Sequence, residues 1–269
     1  MANPLVSSSV LLNHHTVARP NEIELADGTS IPILYEDRAV LAIDKPAGWI
    51  LAPESWDRTS RNLHLALISG VKGGDFWARS RNLKFVRFVH RLDADTSGVL
   101  LLVKNPRAAP AYSRLFATRR VEKIYLTVVQ GVPKQRSWVC RLKLAPRRDE
   151  AGRMKADRRR GKEAETLFRA LQTNRDSTLV EARPLTGRTH QIRVHLAESG
   201  HPVLGDVLYG PVSDNRQPAT GNRPLASLAL RAVSLAYHDP FHKRTLRIDA
   251  PAAEFCQRFG FYRSSWKNE

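Results

Sequence analysis

The most constraining feature of this sequence is a series of strand-like segments that follow one another with no helical segment between them. Apolar residues from 122 to 182 occur in short runs and alternations, which are typical of strands. Strands that succeed one another without crossover helices favour antiparallel or mixed sheets. These strands are predicted at Glu122–Val129, Ser137–Leu142, Glu165–Leu171 and Thr178–Ala182. The sequence therefore predicts an α+β fold with a mixed, largely antiparallel central sheet and flanking helices.

The other predicted elements lie on both sides of this region. Further strands are predicted at Ala39–Ile43, Lys84–Val89, Val99–Val103, Leu228–Tyr237 and Thr245–Ile248. Helices are predicted at Ser60–Ser69, Pro110–Arg119, Thr189–Ser199 and Ala252–Phe259. Ser60 is the expected N-cap of the first helix, and Gly70 is its expected stop signal.

One large folded domain accounts for most of the 269 residues, of which 42% are hydrophobic. We place this domain at residues 33–262 and a tail at 263–269. Residues 1–32 are polar with a turn at Asp27-Gly28, so they are expected to form an arm or a small edge hairpin without a core of its own. The expected mobile insertions are Gly70–Asp75 and Arg147–Arg160.

The chain is strongly basic, with 43 Lys and Arg against 26 Asp and Glu and a formal charge of +17. Such a charge can serve solubility alone, or it can bind a polyanion, most often nucleic acid. Its distribution favours the polyanion. Residues 136–162, called the basic insertion below, hold eleven basic and three acidic residues.

Several classes of protein are disfavoured by the sequence. The longest apolar run, Val99 to Val103, is far shorter than the roughly 20 residues that span a bilayer. The N-terminus lacks the basic region of a secretory signal. Cys140 and Cys256 lie far apart and show no zinc-binding spacing, as expected of reduced thiols. We expect a cytoplasmic protein with no membrane association.

A polar turn between two predicted strands carries two carboxylates, Asp93 and Asp95, and has three interpretations. As an EF-hand loop it would need a bidentate Glu at its twelfth position, where Lys104 stands and would repel a cation. As a structural turn, its Asp and Ser side chains would bond their own backbone. The segment Asp93-Ala94-Asp95-Thr96 also resembles the nucleophile loop of haloacid-dehalogenase-like phosphohydrolases, which use magnesium. That family expects a later acidic pair, whereas Asp206 stands alone.

A second polar segment combines histidines and arginines at the start of a predicted helix. On that helix His190 and Arg193 share one face, and Ile192 and Leu196 share another that can pack on the core. His190 and His195 are five residues apart and so miss the spacing of helical zinc ligands. We predict no metal site here.

A set of motifs occurs in a specific order along residues 33–242. They are Tyr35-Glu36-Asp37, Asp44-Lys45-Pro46-Ala47-Gly48, His90-Arg91-Leu92-Asp93, Thr96-Ser97-Gly98, Glu122-Lys123-Ile124-Tyr125, Gly161-Lys162-Glu163-Ala164-Glu165-Thr166, Thr186 to His195, Gly200 to Gly210, and Leu228-Ala229-Leu230-Arg231-Ala232. In this order the chain resembles the RluA-type pseudouridine synthases, which isomerise uridine to pseudouridine in structured ribosomal or transfer RNA.

The resemblance implies roles for three residues around a central catalytic cleft. Asp93 is the implied catalytic residue, acting as a nucleophile on C1′ or the uracil ring, or as a base for the 2′ proton. Arg193 is the implied cationic partner that favours the ionised carboxylate. Tyr125 is implied to stack on the target base and is a candidate acceptor of the C5 proton. The reaction requires no metal and no organic cofactor.

The resemblance also implies that the target uridine leaves its stem-loop and enters a basic, aromatic site. Residues expected to contact RNA there, or to organise the loop, are His90, Arg91, Lys123, Arg188 and His190. Many relatives begin with an S4 RNA-binding domain, for which residues 1–32 are too short. We therefore expect the basic insertion, through Arg158, Arg159 and Arg160, to hold RNA. We expect a monomer.

Two positions depart from the family pattern. Arg231 stands where many members have His, and Asp44 stands where many have Asn. Neither position is implied in the chemistry, so activity is still expected.

Overall fold

The computed structural model describes residues 19–51, 61–147, 152–210 and 227–262. Its strands are β1 (Glu22–Glu24), β2 (Ser30–Glu36), β3 (Val40–Lys45), β4 (Arg87–Phe88), β5 (Ser97–Val103), β6 (Val121–Gln130), β7 (Ser137–Cys140), β8 (Leu144–Pro146), β9 (Met154–Ala156), β10 (Thr166–Thr173), β11 (Ser177–Pro184), β12 (Leu230–His238) and β13 (Thr245–Asp249). Its helices are α1 (Leu63–Gly73), α2 (Phe76–Arg79), α3 (Ala109–Ala117), α4 (Gln191–Glu198) and α5 (Ala253–Arg258).

One long sheet organises the described part of the chain. Its strand order is β1-β2-β3-β5-β12-β6-β11-β10-β7, with β4 paired to β5 and β13 paired to β12. Among the described strands, only β5 and β12 pair in parallel, and the other pairs are antiparallel. The predicted α+β class with a mixed, largely antiparallel sheet is therefore confirmed.

The central strands are buried on both faces, which explains their continuous apolar runs. On β3 and β5, Leu41 and Leu100 pack in the core cluster that includes Leu63 of α1. Their neighbours in the chain, Ala42 and Leu101, pack in the opposite cluster, which includes Tyr112 of α3. This alternation follows from the two-residue period of a strand. The sheet thus has a core on each side.

The first helix begins and ends later than the sequence predicts. Its N-cap is Asn62, whose Oδ1 accepts the Leu65 amide at 3.1 Å, so the expected Ser60 cap is wrong. The helix continues through Gly70, where a Cβ would lie 2.6 Å from Asp75 Oδ2. Gly70 therefore serves close packing, and Gly74, with φ of 73°, ends the helix.

Residues 19–32 form a hairpin at the edge of the sheet, which is the second of the two expected alternatives. β1 and β2 form an antiparallel hairpin around the predicted turn, where Gly28 has φ of 82°. Ile23 and Ile31 are fully buried in the core cluster that contains Trp77. The hairpin thus belongs to the main core, and the boundary expected at residue 32 falls inside β2. Residues 1–18 and the tail at 263–269 lie outside the described residues.

Three other segments also differ from expectation. The strand expected at Lys84–Val89 is reduced to β4, two residues long. The segment Gly70–Asp75, expected to be mobile, forms the end of α1 and the start of α2, a four-residue helix that the sequence did not indicate. The helix expected from Thr189 begins at Gln191, because His190 has a left-handed backbone with φ of 52°.

The basic insertion contains an antiparallel hairpin of β8 and β9. Leu144 and Lys162 exchange backbone hydrogen bonds that close its base. A small cluster of Leu144, Ala164 and Val194, with Met154 and Tyr209 against it, packs the hairpin on α4. The described residues of the segment expected to be mobile are thus ordered, while 148–151 lie outside the described residues. No described helix is long and apolar enough to cross a membrane.

Candidate active site

A buried lysine holds the turn that carries Asp93. Lys45 ends β3 with no exposed surface, and its Nζ donates to the carbonyls of Ala94 at 2.7 Å and Thr96 at 2.9 Å. Burial lowers the pKa of Lys45 to about 8, against the opposing effect of Asp95 and Asp93. The Lys45 ammonium thus donates to two carbonyls of the turn. These hydrogen bonds fix the loop that carries Asp93.

Gly98 lets the same loop join the sheet. Its φ is +110°, and an added Cβ would lie 2.0 Å from the carbonyl oxygen of Ala232 on β12. Only glycine permits this approach between the parallel strands β5 and β12. The sheet therefore determines where Asp93 lies.

Asp93 faces an arginine that is itself held by a second carboxylate. Arg193 Nη1 lies 3.6 Å from Asp93 Oδ2. The Nε and Nη2 atoms of Arg193 donate to the two oxygens of Asp206, both at 2.7 Å. The side chains of Arg193 and Asp206 are 4% and 0% exposed. This bidentate pair fixes the plane of the guanidinium and leaves Nη1 directed to the side of Asp93.

The buried pair stays charged. Burial opposes the charge of Asp206, but the hydrogen bonds from Arg193 outweigh it and lower the pKa of that carboxyl. Burial likewise opposes the charge of Arg193, but Asp206 raises the pKa of the guanidinium. Arg193 therefore presents a permanent positive charge to Asp93.

The turn before α4 is also fixed by buried polar contacts. The Gln191 Oε1 atom accepts the Thr186 hydroxyl at 2.6 Å and the Arg188 amide at 3.0 Å. Its Nε2 donates to the Glu165 carbonyl and the Thr166 hydroxyl, both at 2.9 Å. With four partners, Gln191 is fully satisfied and holds the residues that follow β11 in place.

Tyr125 lies on β6 beside Asp93. Burial and the nearby Asp93 raise the pKa of its hydroxyl, so the phenol stays protonated at neutral pH. A protonated phenol offers a ring face for stacking and is a poor proton acceptor. Tyr125 therefore presents a protonated phenol beside Asp93.

Asp93, Tyr125 and Arg193 line a cavity of about 270 Å³, near the lower limit of roughly 300 Å³ for small-molecule pockets. Eight of the predicted site residues lie on it, namely His90, Arg91, Asp93, Lys123, Tyr125, Arg188, His190 and Arg193. The structure thus assembles in one place the residues that the sequence places on separate segments.

Three of the residues that were expected to contact RNA bind the protein itself. Burial and Lys123 lower the pKa of His90 to about 3. The neutral ring accepts the Leu101 amide on Nε2 at 2.9 Å and stacks on Phe116. Lys123 donates to the Thr186 carbonyl at 3.0 Å, and Arg188 to the Glu163 carbonyl at 3.0 Å. His90 thus organises the loop, whereas Arg91 is exposed at the cavity.

Arg158, Arg159 and Arg160 do not line the cavity. They are exposed in the turn after β9, where Asp157 Oδ1 accepts the amides of Arg159 and Arg160 at 3.0 and 2.9 Å. This turn fixes their backbone and leaves their side chains at the surface.

Comparison with known proteins identifies the family. The family described as RNA pseudouridylate synthase matches residues 39–198. A protein of Chlorobaculum parvum named "Uncharacterized RNA pseudouridine synthase" is 34% identical over 255 residues, covering 90% of this chain and 77% of the relative. Ribosomal large subunit pseudouridine synthase C of Escherichia coli is 34% identical over 227 residues, covering 84% and 68%.

The chain belongs to the RluA-type RNA pseudouridine synthases. Among solved structures, human RNA pseudouridylate synthase domain containing 1 superposes on it with a TM-score of 0.63 and 28% identity, covering 82% of this chain and 83% of that one. The family and the fold expected from the sequence motifs are both confirmed. The chain is accordingly an enzyme that isomerises uridine in RNA.

The two departures of the synthase from the family pattern contact each other. Arg231 Nη2 donates to Asp44 Oδ2 at 2.6 Å, and Arg231 Nη1 donates to the Ser97 hydroxyl at 3.2 Å. The two residues thus form an ion pair. It joins β3 to β12 at the base of the Asp93 loop.

The sequence did not reveal the roles of Asp206 and Lys45. Asp206 was considered there only as an isolated metal ligand, and the structure shows it bound to Arg193. A buried arginine requires a carboxylate partner, and Asp206 follows Arg193 by only thirteen residues. The need of a buried arginine for a nearby carboxylate was therefore the feature of the sequence from which this pair could have been predicted.

One group of described residues in the synthase brings metal-ligand types together, Asp37, Asp239 and His242. Its carboxylate oxygens already accept protein donors. Asp239 binds the Tyr112 hydroxyl and the amides of Phe241 and His242, and Asp37 binds the amides of residues 39 and 40. The group is therefore a hydrogen-bonded junction, and none of its members lines the cavity.

Proposed function

We propose that the synthase isomerises one or more uridines in structured RNA, with Asp93 as its catalytic residue acting on an extruded nucleotide. The observation that carries the proposal is the position of Asp93. Its carboxylate lies at a cavity of about 270 Å³, 3.6 Å from a guanidinium that Asp206 holds in place. A cavity of this size accommodates a single nucleoside and no helix, so the uridine has to leave its stack to reach it.

The reaction breaks the bond from N1 to C1′, turns the uracil and joins C5 to C1′. C5 then loses its proton and N1 gains one, so the product is an isomer of the substrate. Each role open to Asp93, as nucleophile at C1′ or the ring or as base for the 2′ proton, needs an unprotonated oxygen. Arg193 stabilises that anion from a fixed position. Tyr125 supplies the ring on which the turned uracil stacks.

The names of several relatives refer to the large ribosomal subunit. They favour ribosomal RNA over transfer RNA as the substrate of this synthase. We further propose that Arg158, Arg159 and Arg160 hold the RNA by its phosphates, because they are exposed in the turn that follows the β8–β9 hairpin, which packs against α4.

The phosphohydrolase alternative is weakened by the same geometry. A magnesium site at Asp93 would need a second acidic group, and the sequence offered Asp206. Both oxygens of Asp206 are bound to Arg193, whose positive charge would repel a metal ion.

The test compares two neighbouring carboxylates. Asp93→Asn should abolish pseudouridine formation on ribosomal RNA from a deletion strain, whereas Asp95→Asn, on the same turn and exposed, should retain it. Activity should persist in EDTA. Wild-type levels of pseudouridine in Asp93→Asn, or loss of activity in EDTA, would overturn the proposal.

The RNA-holding role is tested by replacing Arg158, Arg159 and Arg160 by Ala together. RNA binding should weaken, and its logarithmic salt slope should flatten by about one for each lost phosphate contact. The control replaces three exposed and dispersed cations, Lys72, Arg107 and Lys134, and removes the same charge. An equal loss in both variants would show that only net charge matters.

A further inference from the structure

Tyr209 joins three parts of the synthase that no single motif connects. Its hydroxyl oxygen accepts the backbone amide of Met154, on β9, at 2.8 Å. The same hydroxyl lies 2.8 Å from Nδ1 of His190. Its ring lies against Arg193, with Cζ 5.1 Å from the ring centroid, within the range of a cation–π contact.

The donors and acceptors around this hydroxyl determine where its proton points. The oxygen accepts the Met154 amide, and its own proton can be donated to Nδ1 of His190, which lies 2.8 Å away. Burial raises the pKa of the Tyr209 hydroxyl and lowers that of the His190 ring, so the phenol keeps its proton and the imidazole is neutral. A hydroxyl that donates to Nδ1 leaves the one proton of the neutral ring on Nε2.

The Nε2–H tautomer of His190 directs its proton toward the Asp93 carboxylate. Nε2 of His190 lies 4.0 Å from Asp93 Oδ2. A protonated Nε2 presents a partial positive charge to that carboxylate, whereas the other tautomer would present a lone pair and repel it. The left-handed backbone of His190, with φ of 52°, is a costly conformation for a residue with a side chain, and it places the ring between Tyr209 and Asp93.

We propose that Tyr209 is a positioning residue, which fixes the Nε2–H tautomer of His190 toward Asp93 and links the β8–β9 hairpin to the catalytic loop. The link follows from Met154, which is both a residue of β9 and the second partner of the Tyr209 hydroxyl. Displacement of the hairpin would thus alter the group that orients His190. The kinetic part of this inference rests on the proposed function, whereas the tautomer does not.

The experiment measures the tautomer and the rate in the full chain. Long-range nitrogen–proton correlation spectra distinguish protonated from unprotonated ring nitrogens of each histidine. His195 serves as an internal reference, because its Nε2 faces the Leu142 carbonyl and has to be the donor. His201 is the opposite reference, because its Nδ1 faces the Gln130 carbonyl.

Wild type should show His190 protonated on Nε2, and Tyr209→Phe should shift a measurable fraction of the proton to Nδ1 with both references unchanged. The same variant keeps the ring against Arg193 and should lower kcat about tenfold with KM nearly constant, the effect of one lost hydrogen bond. In a His190→Ala background, Tyr209→Phe should cost little further. Tyr237→Phe is the control, because its buried hydroxyl has no hydrogen-bond partner among the described residues.

His190 protonated on Nδ1 in wild type, or an unchanged tautomer in Tyr209→Phe, would overturn the inference. Equal losses of kcat with and without His190 would overturn it as well. A wild-type protein that shows the expected tautomer but forms no pseudouridine would instead refute the proposed function.

Discussion

Replacement of Asp206 by Asn tests how firmly the buried ion pair holds Arg193. The two Asp206 oxygens accept Arg193 Nε and Nη2 at 2.7 Å, and both side chains are almost fully buried. Asn keeps one acceptor but sets an N–H donor against the guanidinium. Loss of one partner of a buried pair costs about 3–5 kcal/mol. Because one acceptor remains, we expect the lower figure, about 3 kcal/mol, in the free energy of unfolding at neutral pH.

The loss of stability in Asp206→Asn should also depend on pH in a way that identifies its cause. The pKa of Asp206 is lowered by folding, so its contribution is fully present above the pKa of the unfolded carboxyl and is lost as the pH falls through the folded one. The stability gap between wild type and Asp206→Asn should therefore narrow below about pH 4. Urea unfolding at several pH values measures this gap.

The matched control is Glu163→Gln, which breaks an ion pair with Lys143 whose side chains are 69% and 40% exposed. An exposed pair contributes at most about 1 kcal/mol. A loss in Asp206→Asn no larger than that of the control, or a gap that stays constant in acid, would refute the view that the buried pair holds Arg193.

Two further predictions concern the base of the same loop. Asp44→Asn and Arg231→His should each lower the free energy of unfolding. In a double-mutant cycle, the double variant should lose less than the sum of the two single losses, by about 1 kcal/mol or more. Strictly additive losses would show that the 2.6 Å ion pair contributes no coupling. Gly98→Ala should lower the urea midpoint far more than Gly28→Ala. Both glycines have positive φ, but a Cβ at Gly98 would strike the Ala232 carbonyl, whereas one at Gly28 would meet nothing within 4 Å; equal effects would contradict a steric origin.

The strands were predictable because strands that are buried in the core carry short, continuous runs of apolar residues. Val99–Val103 is apolar throughout and lies in the middle of the sheet, while β10 and β11 keep their expected places. The ends of helices were less predictable, since they depend on single backbone contacts. Asn62 and Ser60 are both acceptable caps, and the sequence alone does not show which one meets the Leu65 amide.

The site was predictable as a set of motifs but not as a set of contacts. Asp93, Tyr125 and Arg193 belong to segments that carry the family resemblance, and all three line one cavity. Their supporting partners depend on tertiary structure. Nothing local marks Lys45 as the donor to Ala94, 49 residues away, or Tyr209 as the neighbour of His190.

The structure also separates two uses of positive charge that the total of +17 does not distinguish. Arg193 is buried and bound by Asp206, whereas Arg158, Arg159 and Arg160 are exposed. Salt at about 0.15 M screens exposed charges beyond roughly 8 Å but acts much less on buried pairs. Under the proposed function, added salt should therefore raise KM for RNA while kcat changes little. A parallel fall in kcat would mean that salt weakens the pair of Arg193 and Asp206 during turnover, contrary to the burial of both side chains.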